Sequence, residues 1–144
     1  DLMVHDYGPG RTFASAHAEM AAEADPLESH DTLDNIEQAF RNEGGMIVTL
    51  HYDPIVTDDP KVASMRLRIN AMAQQIDSRL SIHDLRCVPG PTHTNVIFDC
   101  VRPSDLAMSA EELKRTLAKQ FESEYPKSFA KITIDEDYVG HTHE

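Results

Sequence analysis

One short pattern occurs twice in this chain, and that repetition limits what the chain can fold into. Met3-Val4-His5-Asp6 returns as Ser81-Ile82-His83-Asp84, and Pro9-Gly10 returns as Pro89-Gly90. The two pairs are offset by 78 and 80 residues, so one loop differs in length by two. A tandem repeat predicts two copies of one supersecondary unit. With 144 residues to share, each copy is too small to bury a sheet well by itself.

The unit can be read from local patterns. Leu2 to His5 is a short strand, and Tyr7-Gly8-Pro9-Gly10 is a turn. Thr12 to Met20 alternates, with Phe13, Ser15, His17 and Glu19 on one face and Ala14, Ala16, Ala18 and Met20 on the other. Asp25 caps a helix that Pro26 begins, Leu33, Ile36 and Phe40 form its apolar face, and Gly44-Gly45 ends it. Met46 to Leu50 is a strand, closed by His51-Tyr52-Asp53-Pro54, and Val56 to Pro60 is a linker.

A longer helix starts at Lys61 with Val62, Met65, Ile69, Met72 and Ile76 in one narrow core-facing stripe. The pattern then repeats. Thr94 to Val101 is a strand, and Ser109 with Glu112 forms a capping box. Leu113, Leu117 and Phe121 form a helical stripe, and Phe129 to Ile134 is the closing strand. The order is helix, strand, strand, helix, strand, with no leading helix in the first copy because the chain opens inside the strand. The expected fold is α+β, with residues 1–56 and 57–144 as tandem units. Each is a three-stranded sheet with helices on one face. The copies are expected to pack on each other, on a second chain, or both.

Charge excludes one class of partner. Asp and Glu number 25 against 13 Lys and Arg, a formal charge of −12 with His neutral. Such a surface repels nucleic acid and attracts cations. No apolar run approaches the ~20 residues of a membrane span, and His5 and Asp6 near the start speak against a signal peptide. Cys87 and Cys100 lack the spacing of a zinc finger or a disulfide framework.

Histidine is the overrepresented residue, with eight in the chain. His51 and Asp53 stand two apart and point to one face of a strand; His17 is on the neighbouring hairpin; His30 is early in the first helix. Imidazoles with one or two carboxylates are the ligand set of zinc, manganese, iron, cobalt or nickel. Taken singly, a His is more often a satisfied or surface residue; for the four together, on elements that meet in one α+β layer, spacing alone leaves both readings open.

Four segments together carry a resemblance. His5-Asp6-Tyr7-Gly8-Pro9-Gly10, Ala16-His17-Ala18-Glu19, Ser29-His30-Asp31 with Asp34-Asn35-Ile36-Glu37, and His51-Tyr52-Asp53-Pro54-Ile55 resemble the cytoplasmic C-terminal domain of the cation diffusion facilitator family. Members of that family are membrane antiporters that export divalent metal in exchange for protons. The resemblance covers Asp1 to about Val56. It implies a metallochaperone-like, ferredoxin-like α+β fold, a homodimer, and a regulatory domain at the cytoplasmic face of the cell membrane, working with the transporter's membrane-embedded part. That membrane part is not in this sequence.

The resemblance further implies metal ligands at His17, His30, His51 and Asp53, with zinc the first choice of ion. His5, Asp6, His83, Asp84, His93, His141 and His143 form a secondary set. At an offset of 80, Ile97 takes the place of His17, and Asp135-Glu136-Asp137 keeps acid but no His, so the second copy is expected to be mainly structural.

The rival readings are a free-standing metal- or small-molecule-sensing module and a metal-dependent hydrolase. For the hydrolase no HExxH, nucleophile motif or phosphate loop is present, so the chain is read as not an enzyme.

Overall fold

The computed structural model describes residues 1–137. The chain divides into two units, Asp1–Ile55 and Val56–Glu144. Together they give an α+β fold of two three-stranded mixed sheets and three helices, consistent with tandem ferredoxin-like units.

Unit 1 runs β1 (Met3–Asp6), β2 (Thr12–Ala21), α1 (Pro26–Gly44) and β3 (Ile47–Ile55). The first turn closes because Asp6 accepts a hydrogen bond from the Gly8 N–H at 2.9 Å, and because Gly8 and Gly10 take the positive φ values that glycine allows. β1 pairs antiparallel with β2, and α1 carries the chain across so that β3 pairs parallel with β2 on its other side. Asp25 caps α1 by accepting from the Leu27 and Glu28 N–H groups, and left-handed Gly45 ends it.

β3 is longer than the sequence reading allows. His51-Tyr52-Asp53-Pro54 does not close the strand; each of these residues continues the register with β2, as far as Ile55 opposite Ala21. Pro54 is tolerated because β3 is an edge strand. The extension matters, since it keeps His51 and Asp53 in regular alternation.

Ala14 of β2 and Val48 of β3 are buried, as is Leu33 of α1, so the even-numbered face of this sheet is the helix-covered one. His17, His51 and Asp53 therefore lie on the opposite face. Glu37 reaches from α1 to accept the Leu50 N–H at 2.9 Å, which satisfies part of the edge of β3.

Unit 2 runs α2 (Pro60–Ile76), β4 (Ser81–Val88), β5 (Thr94–Pro103), α3 (Ala110–Glu124) and β6 (Ser128–Asp137). Asp59 caps α2, and the Ser109–Glu112 capping box opens α3. The strand order and senses repeat those of unit 1. Here the core is full: Ile69, Met72, Phe98, Leu113, Leu117 and Phe121 are at most 1% exposed. Glu122 accepts the Ala130 N–H at the edge of β6, as Glu37 does at β3.

The strand limits correct the repeat alignment. Thr12–Ala21 and Thr94–Pro103 are both ten residues long and match end to end at an offset of 82, not 80. Asp99, not Ile97, then stands where His17 stands, Asp135 stands for Asp53, and Thr133 for His51. Length differences between the copies are absorbed in loops and in a bulge between His83 and Arg86, where Asp84 takes φ 54°. Among the described residues no helix is long and apolar enough to cross a membrane.

Candidate metal centre

The centre follows from strand register. In a parallel pair, residues in register share a face, and His17 is in register with His51 while Asp53 lies two residues further along β3. All three side chains consequently project from the sheet face that α1 leaves open. Their donor atoms lie within 4.8 Å of one another.

Asp53 organises the group. Its Oδ2 is 2.7 Å from His17 Nδ1, and its Oδ1 is 3.3 Å from His51 Nε2. The two imidazoles, with ring centroids 4.7 Å apart, are more than half exposed as side chains. They shield a carboxylate that is buried to 8% exposure. A buried carboxylate needs a partner, and here each oxygen faces a ring nitrogen. His17 Nε2, on the far side of its ring, stands 3.2 Å from Asp1 Oδ2.

The set is two nitrogens and a carboxylate, with water access from the open face. Those are the donors of a borderline divalent ion, three from the protein with room for a further ligand. The contact of Asp1 was missed in the sequence. Its signal was there: Met3 pairs with Ser15 in the hairpin, so two residues earlier the chain comes opposite His17.

His30 does not join this group. It sits on α1, on the other side of the sheet, where with Pro26, Leu33, Asp34, Glu37, Leu50 and Tyr52 it lines a shallow cleft of about 190 Å³. Strand alternation separates the two places: Leu50 and Tyr52 face the helix, while His51 and Asp53 face away from it. Within one chain the structure brings His17, His51 and Asp53 together and leaves His30 apart from them.

The secondary candidates have other employment. His5 stacks on Tyr7, and Asp6 holds the turn. His83 Nε2 is 3.0 Å from Ser81 Oγ, the Asp84 side chain hydrogen-bonds with that of Asp99, and His93 packs edge-on against Phe129. Asp99 and Asp135, at the places of His17 and Asp53, keep the carboxylates and lose the imidazoles. Burial first, and then the charge of Asp135, hold the Asp99 carboxyl above its ordinary range. His141 and His143 lie outside the described residues. Among the described residues, His17, His51 and Asp53 are the one group of three or more potential ligands so placed.

Comparison of the chain with protein-family models and with curated proteins gives no match.

Proposed function

We propose that this chain is the metal-binding regulatory and dimerisation domain of a divalent-cation efflux transporter of the cation diffusion facilitator type, and that it closes on metal at His17, His51 and Asp53. The observation that carries the reading is the convergence of those three side chains on one open sheet face. The four-segment resemblance supplies the transporter context, and zinc is the ion that best suits two imidazoles and one carboxylate.

Charge gives the ion a mechanical role. Unit 1 holds eleven Asp and Glu against two Arg, a net −9 in 55 residues with His neutral. Two such units brought together repel each other, and a divalent cation on each offsets part of that repulsion. The metal-bound dimer is then the more closed state, provided that state binds metal more tightly. Closure would report metal level to the membrane part of the transporter.

Zinc titration by calorimetry, with sedimentation and small-angle scattering run with and without the ion, tests this reading. Expected are saturable binding that needs His17, His51 and Asp53, a dimer, and a smaller radius with zinc. A chain that binds no divalent metal overturns the proposal; metal binding by a strict monomer leaves the free-standing sensing module.

A further inference from the structure

The shallow cleft between α1 and β3 lies on the side of the sheet away from the metal centre. Leu33 and Leu50 give it apolar surface, Tyr52 an aromatic ring, and Asp34 and Glu37 two carboxylates; no Lys or Arg lines it. α1 has five acids, and these two alone are partly buried; Glu28, Asp31 and Glu43 are exposed. Each of the two is engaged through one oxygen. Asp34 Oδ2 accepts from the Gln38 amide at 2.6 Å, and Glu37 Oε1 accepts from the Leu50 N–H at 2.9 Å. Among the described residues nothing bonds Asp34 Oδ1 or Glu37 Oε2.

A further polar atom stands beside the cleft without a partner. Ser29 is flanked on its own stripe of α1 by Pro26 and Leu33, which line the cleft. It is 2% exposed, and its Oγ makes no hydrogen bond. A buried hydroxyl in that state has acceptor capacity to spare.

We propose that this cleft binds the ammonium end of a linear polyamine. An ammonium has three donors and no acceptor, so it suits two half-used carboxylates and a spare hydroxyl. Its methylene stem would lie on Leu33 and Leu50, and the Tyr52 ring favours a cation over a neutral group.

Other occupants fit less well. A bare metal ion needs converging donors, and among the described residues only His17, His51 and Asp53 converge within 4.8 Å. An anion would meet carboxylates and no cation. The lysine of a partner protein would bring one charge, whereas Glu28, Asp31 and Asp34 recur at three-residue steps along α1. Side chains so spaced stand about 5–6 Å apart at Cβ, so the further ammonium groups of a polyamine meet carboxylates along that row. The net −9 of unit 1 draws a polycation from solution.

Calorimetry of spermidine with the zinc-free full chain tests this, and nitrogen-15 spectra locate the contact. Expected are saturable binding and shift changes at Leu33, Leu50 and Tyr52. The Asp34→Asn, Glu37→Gln chain keeps side-chain shape and an acceptor for the Leu50 N–H, and it is expected to bind at least tenfold more weakly. The Glu23→Gln, Glu43→Gln chain loses the same charge away from the cleft, and it is expected to stay within twofold of the parent. The spectra of both variants also show whether they are folded. A linear diol of matched length, which is uncharged, is expected not to bind. No binding at millimolar spermidine, equal weakening in both variants, or shift changes outside the cleft would overturn the proposal. So would equal competition by magnesium at matched ionic strength, which would mean diffuse charge attraction only. Tighter binding of Nα-acetyl-lysine methylamide than of spermidine would overturn it as well, because a partner's lysine would then be the better occupant.

Discussion

His17 Nδ1 and Asp53 Oδ2 stand 2.7 Å apart across two parallel strands, with the carboxylate buried beneath the ring that it holds. This contact holds the imidazole in place before any ion arrives, and an ion held by all three residues would replace the proton shared between Nδ1 and Oδ2. The Asp53→Asn change should keep the shape and lose the second charged acceptor. Without metal, its cost should be about 1 kcal/mol, the scale of one lost hydrogen bond. With zinc at a hundred times Kd, the parent gains about 2.7 kcal/mol, and the variant should gain little or none. Thermal melts with and without zinc read both effects, and a full zinc response in the variant would place the site elsewhere.

His30 gives the complementary control. It lies on the helix side of the sheet, away from the three-residue group. His30→Ala is therefore expected to leave the zinc-induced rise in melting temperature unchanged, while His51→Ala removes most of it. If His30→Ala also removes the rise, the ion is bound by more than one copy of the chain, and sedimentation with zinc will show it.

Much of this was legible from residue pattern alone. The alternation of Thr12–Met20 gave the face of His17, and the pair His51 and Asp53 gave a second strand presenting the same side. The caps at Asp25 and Ser109 marked both crossover helices. Sequence could not separate His30 from the others, because sheet face depends on which side the crossover helix packs, and no local spacing records that. It also misplaced Ile97 for Asp99. The two short motifs that set the offset flank a hairpin, and hairpin loops and the bulge near Asp84 absorb insertions that paired strands cannot.

Unequal cores predict unequal stability. Among the described residues, unit 1 buries three apolar side chains, Ala14, Leu33 and Val48, whereas unit 2 buries fourteen. Amide exchange is expected to be fastest in β1 to β3 and slowest in β4 to β6, since local opening follows the contacts that oppose it. Phe98→Ala, which empties a site at 0% exposure, should cost unit 2 about 3–5 kcal/mol. Zinc should slow exchange in β2 and β3 selectively, because the ion binds only when those strands are paired. Uniform protection across both sheets would show that the two units unfold as one.

Asp99 carries the pH prediction. It occupies the place of His17 in the second sheet, half-buried, with Asp135 of β6 and Asp84 of β4 raising its pKa and Arg86 of β4 opposing them; His83 is its register partner. Burial is the largest cause of the upward shift. A carboxyl whose folded pKa exceeds its unfolded one binds its proton more tightly in the folded state. Below the ordinary carboxylate range, near about 3.9, both states are protonated and the group costs nothing. As pH rises through that range and past the raised folded value, the unfolded chain ionises more readily, and a penalty on folding develops that persists at neutral pH. Asp99→Asn removes the charge and keeps the size. The variant should therefore be more stable than the parent at pH 7, and the difference should shrink toward zero as pH falls to about 3.5. Urea midpoints at the two pH values measure it. A variant less stable than the parent at pH 7 would mean that attraction to Arg86 outweighs burial and the neighbouring carboxylates.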